Sequence, residues 1–141
     1  MKKYRSALWI IFIVYILTVL RLTVFRDNVN YKERQLNPTL FVDLYNVYKY
    51  AGVRVFLRLF LGNIGWFAPF GFIMPMLMKK DNPVQTIVMG MLFSLIIETL
   101  QFTFKKGVAE FDDLILNTVG TALGYFAYKF IGKPFFARFK S

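Results

Sequence analysis

The stretch "IIETLQFTFKKGVAEFDDLILN", from Ile96 to Asn117, sets a glutamate, a glutamine and two adjacent aspartates among residues suited to lipid. Such groups can bind a divalent cation through oxygen, act as general acid and base, or hold a ligand by hydrogen bonds. Each use requires that the groups meet in space. Gly90, Ser94, Glu98 and Gln101 fall at steps of four, four and three, one face of a helix. Asp113, Asn117, Gly120 and Gly124, at steps of four, three and four, form a second such stripe.

An ionised side chain inside a span costs roughly 2.5–3.5 kcal/mol on insertion scales, so Glu98 should face other helices and pair or hold a proton. Helix-to-helix adhesion returns only about 0.6–2 kcal/mol, and glutamine would supply it at less cost. A functional Glu98 is therefore favoured over a merely adhesive one. Asp112 and Asp113 stand in the first turn of their helix, where backbone N–H groups and the helix dipole favour negative charge. Capping accounts for Asp112; Asp113, above Asn117 and two glycines, belongs with the site. Gly120 and Gly124 make a GxxxG, which lets another backbone approach closely. A third element joins through "LFLGNIGWFAPFGFIMPMLM" (Leu59–Met78). Pro69 and Pro75 leave the carbonyls of Gly65 and Gly71 without their usual partners. A broken helix at membrane depth is tolerated only where protein or a wet cavity satisfies the freed groups. The expectation is a shared polar cleft with Asn63, Pro69 and Gly71 on its wall.

Elements that position these groups must be membrane spans. The chain has 141 residues, 57% hydrophobic and 19% aromatic, with a mean hydropathy of +0.47. It lacks cysteine and histidine, which excludes disulfide frameworks, Cys/His zinc sites and a Ser-His-Asp triad. The net charge of +10 suits nucleic acid or an anionic bilayer face, and the apolar runs beside every basic stretch decide for the bilayer. No metal and no cofactor is expected.

The expected fold is all-α: one polytopic domain over 1–141, a four-helix transmembrane bundle with spans at about 6–24, 59–78, 84–104 and 111–131. The first run ends in "RLTVF" without small residues for cleavage, so it reads as an uncleaved anchor. Between the first two spans, Leu40, Leu44, Val47, Tyr48, Ala51 and Val55 recur at helical spacing. They predict an amphipathic helix on the extracytoplasmic surface, which also suits a lid over the polar groups. Lys2, Lys3, Arg5, Lys79, Lys80, Lys129, Lys133, Arg138 and Lys140 share one side, a modest preference for cytoplasmic termini in a multi-pass protein of the cell membrane.

"GNIGWFAPFGFIMP" (Gly62–Pro75), "IETLQ" (Ile97–Gln101) and "FDDLILNTVGTALGY" (Phe111–Tyr125) together strongly resemble the VanZ-like family. "QLNPTLFVDLY" (Gln35–Tyr45) is similar to the family's Asn-Pro link before the second span. The chain departs from the family's pattern just before the acid pair, where Val108–Ala109–Glu110 replaces a basic or hydroxyl residue. The resemblance implies a small integral membrane protein of Gram-positive type. It also implies an association with resistance to the lipoglycopeptide teicoplanin, with no secure reaction. Asn63, Pro69, Gly71, Glu98, Gln101, Asp112, Asp113 and Asn117 carry over as motif positions. The partner expected is then an envelope lipid or lipid-linked wall precursor, with a lipoglycopeptide antibiotic as a further candidate. Three alternatives stay open: an intramembrane enzyme acting on a lipid or polyprenyl phosphate, a small proton-coupled transporter oligomerising through Gly120 and Gly124, and a structural partner of another membrane protein.

Overall fold

The computed structural model describes residues 2–25, 30–78 and 81–137. Lys79, Lys80, Arg138 and Lys140, counted above for orientation, lie outside the described residues. The order is α1 (Lys2–Thr23), β1 (Gln35–Asn37), α2 (Val42–Asn46) leading into a π-helical turn (Val47–Ala51), and α3 (Val53–Leu77). There follow α4 (Pro83–Phe104), β2 (Val108–Glu110), α5 (Phe111–Ala127) with a second π-helical turn (Tyr128–Gly132), and α6 (Lys133–Ala137). Among the described residues four helices are long and apolar enough to cross a membrane, the fourth running from Phe111 to Phe136. This is the expected all-α, four-span architecture.

The core is a tight trio of α3, α4 and α5, built on glycine. A Cβ on Gly124 would lie 1.9 Å from the Ala68 carbonyl oxygen, and one on Gly120 2.3 Å from that of Ile64. A Cβ on Gly71 would meet the Thr121 carbonyl oxygen at 1.9 Å, and one on Gly90 the Thr121 hydroxyl at 2.3 Å. Each glycine therefore admits a neighbour that no other residue would. Residue numbers rise together along the α3–α5 contact, so these helices are parallel and α4 runs against both. The close backbone approach expected of the GxxxG is made within the chain, against α3, and not between copies as the transporter alternative would use it.

α1 leans on this trio. Phe12 packs with Phe70, Met74 and Leu77, and Val19 and Val24 pack with Phe67 and Ile97. Arg5 donates to the Leu77 carbonyl at 3.1 Å. The outward faces of α1, α4 and α5 carry exposed Ile13, Leu17, Leu92 and Leu123, as a lipid-facing surface requires.

Two expectations about the second span are corrected. Its helix begins at Val53, not at Leu59, because Arg54 and Arg58 interrupt the apolar run without interrupting the backbone. Twenty-five residues make a helix about 37 Å long, against a hydrocarbon core of about 30 Å. The arginines can therefore snorkel to headgroups. Gly52, at φ 87°, supplies the left-handed corner that starts it. The expected break is also absent: α3 passes through Pro69 and Pro75 as one helix. Each proline deletes one donor, and the close packing of α5 holds the helix through the loss.

The link folds as a surface helix and something more. α2 and its π-helical turn lie across the start of α3 with most side chains exposed. Ahead of them β1 pairs parallel with β2, Gln35 opposite Val108 and Asn37 opposite Glu110. The Tyr31 N–H donates to the Lys105 carbonyl at 2.9 Å, just before the strands. This ladder ties the link to the α4–α5 turn.

Candidate functional site

α4 ends at Lys105, whose left-handed φ of 55° and N–H bond back to Gln101 are the usual way a helix stops. The chain turns through Gly107 into β2, which returns over the helix it has just left. There the Glu110 N–H donates to Oε2 of Glu98 at 3.0 Å. Glu98 is 7% exposed.

One turn deeper, the Asn117 amide donates to the Ser94 hydroxyl at 2.8 Å, so the two polar stripes meet. Asp113 accepts from the Asn63 amide, which brings α3 to the same cluster. Asp112 is 2% exposed and does not cap α5, whose N-terminus has no side-chain cap. Its Oδ1 instead accepts from the Phe41 N–H at 2.8 Å, while Oδ2 is buried without a partner. The β1–β2 ladder lays Phe41 across the helix start, and that N–H takes the carboxyl. Phe41 has φ 57°, a left-handed conformation that costs a non-glycine roughly 1–2 kcal/mol. The bond to Asp112 offsets part of that strain.

Other predicted positions lie elsewhere. Gln101 donates to the Thr23 carbonyl at 3.1 Å and so holds the end of α1. Pro69 is exposed on the outer face. Gly71, Gly120 and Gly124 form the packing seam. Of the predicted positions, Glu98, Asp112, Asp113, Asn63 and Asn117 come together.

Beside this cluster a groove of about 230 Å³ opens between α4, β2 and the start of α5. Leu36, Leu95, Thr99, Phe102, Ala109, Phe111 and Leu114 wall it, and Glu98 and Glu110 are its acids. Glu110 was not singled out by sequence. It follows a basic loop without periodicity, and only its pairing opposite Asn37, far back in the chain, brings it in. Burial, then the charges of Asp113, Asp43 and Asp112, push the Glu110 carboxyl up to about 7. Among the described residues none of Glu98, Glu110, Asp112 and Asp113 pairs with a cation, and no group of three acids is placed to hold a metal ion. A second, aromatic groove lies between α2 and α3, lined by Phe41, Leu44, Tyr45, Tyr48, Phe56 and Phe60.

At the other end, Asp81 accepts from Tyr125 at 2.7 Å and from Lys133 at 2.7 Å. These partners, the Lys133 bond first, lower the Asp81 carboxyl below its ordinary value.

Fold and site together define a small polytopic α-helical membrane protein with an acid-bearing groove at one end. The family model described as VanZ/LLP1 matches residues 12–132, and the chain belongs to that family. Among curated proteins, Protein VanZ of Enterococcus faecium is 29% identical over 121 residues, 82% of this chain and 69% of that protein. No solved structure matches.

Proposed function

We propose that this VanZ-like protein holds an envelope lipid or lipid-linked wall precursor in the groove beside Glu98. By doing so it lowers susceptibility to lipoglycopeptides such as teicoplanin. The observation that carries this reading is the groove itself, with apolar walls and two carboxyls, at the end of the bundle where the link crosses. A ligand with a lipid tail and a polar head suits an apolar cavity with a few placed polar groups. The termini are proposed to be cytoplasmic, which sets the groove at the outer leaflet where wall precursors are exposed.

Proton-coupled transport has one observation in its favour. Ser94, Asn117, Thr121 and Tyr125 continue inward from the acids to Asp81 at the far end. The packing speaks against it, because Gly90 and Thr121 are in contact along this line with no room for water between them.

Filling the groove tests the proposal. Leu95 is 48% exposed on a groove wall, so Leu95→Trp should fold and accumulate in the membrane. Tolerance to teicoplanin, scaled to an immunoblot of the membrane fraction, should fall to about that of cells lacking the protein. Unchanged tolerance in a well-accumulated variant would reject the groove as the site.

A further inference from the structure

The groove's polar groups are of unequal kinds. Glu98 gives Oε2 to the Glu110 N–H, while its Oε1 has no partner among the described residues. The Glu110 carboxyl, on the same groove, likewise has no donor or cation there. Carboxyl oxygens that face an apolar-walled groove without donors are left to be satisfied from the groove, and two carboxyls side by side repel a bare phosphate. A group with positive charge and several N–H donors satisfies both.

A cation stands just outside the groove lining, over one of its aromatic rings. The Arg34 guanidinium lies 5.8 Å from the centroid of the Phe102 ring, and Phe102 is a groove residue. Leu36, two residues further on within β1, is another. Arg34 has no ion pair among the described residues. At about 230 Å³ the space falls below the ~300–1,000 Å³ of a pocket for a whole drug-sized ligand. It suits a headgroup, with acyl chains lying outside along exposed Leu95 and Phe111.

Resting on the reading that the groove holds a lipid, we infer that its ligand is a phospholipid carrying a primary ammonium, with the ammonium on Glu98 and Glu110 and the phosphate on Arg34. A quaternary ammonium has no N–H to give these carboxyls and calls for an aromatic cage. The two groove phenylalanines do not make one.

The test is native mass spectrometry of the full chain after exchange into an equimolar mixture of phosphatidylethanolamine, phosphatidylcholine and phosphatidylglycerol with identical acyl chains. Retained phosphatidylethanolamine should exceed each of the others about tenfold, equivalent to about 1.4 kcal/mol. Glu98→Gln should bring the three close to parity, and Glu110→Gln gives the same comparison if the first variant accumulates poorly. Arg34→Gln should weaken all three together, since each carries phosphate, and leave their ratio unchanged. Parity in the wild type, or a preference for phosphatidylglycerol, would overturn the ammonium assignment while leaving a lipid-binding groove. Retention of none, or retention undiminished by Leu95→Trp, would overturn the groove reading as well.

Discussion

The two ends of this bundle treat their acids in opposite ways. At one end Asp81 is answered by Lys133 and by Tyr125, whose ring is buried. At the other, Glu98, Glu110, Asp112 and Asp113 are gathered without an ion-pair partner among the described residues, and Asp112 keeps a buried oxygen with no partner. A fold that needed only adhesion would use the first arrangement twice. Gathering like charges in a low-dielectric place is unfavourable unless something else answers them, and such clusters mark functional sites more often than structural ones. On the proposed function, the matched end holds the helices and the unmatched end is the one that takes a ligand.

Removing the scaffold should erase both ends at once, the largest effect expected. In Gly124→Val the new atoms would meet the Ala68 carbonyl at under 2 Å. The loss should exceed the ~1–3 kcal/mol of ordinary overpacking, and the protein should vanish from an immunoblot of the membrane fraction. Next come Glu98→Gln and Asp113→Asn, which remove charge and keep size and hydrogen-bonding capacity. Membrane level should hold or rise, since neutral groups are cheaper to bury, while teicoplanin tolerance falls to about that of cells lacking the protein. Wild-type tolerance in both variants would make the acids scaffold and end the contrast.

A smaller effect follows from pH. The Glu110 carboxyl is raised from 4.5 to about 7, so the folded state holds its proton more tightly than the unfolded chain does. Its contribution to stability is full below about pH 4.5 and is lost as pH rises through about 7. Amide hydrogen exchange across 35–37 and 108–110, corrected for intrinsic rates, should be slower at pH 5 than at pH 8. Glu110→Gln should flatten that difference. Asp81→Asn should have the smallest effect, lowering Tm by about 2 °C or less with tolerance intact. The lowered Asp81 carboxyl gives the opposite sign: its support is present above about 3.8 and fades as pH falls through its folded value.

Four spans were legible because each is a long apolar run, and the meeting of Ser94 with Asn117 joins two stripes that were legible from helical spacing. Both are properties of one helix at a time. The unbroken α3 was not legible, because proline's lost donor shows locally whereas the glycine contacts that hold the helix come from α5. Gly120 and Gly124 announced a close approach but not its partner, which is Ile64 and Ala68 of the same chain. The β1–β2 ladder was illegible for a related reason. Three-residue strands carry too little alternation to recognise, and their pairing depends on helices that bring distant segments together. Glu110 and the release of Asp112 from capping both depend on that ladder, so they were hidden with it.

The central claim is that the unmatched acids, and not the matched pair, hold a ligand. Native mass spectra of wild type, Glu98→Gln and Asp81→Asn, each extracted directly from cell membranes, test it side by side. Wild type and Asp81→Asn should carry the same bound lipid, and Glu98→Gln should lose most of it. Equal lipid in all three, or loss in Asp81→Asn alone, would contradict the account.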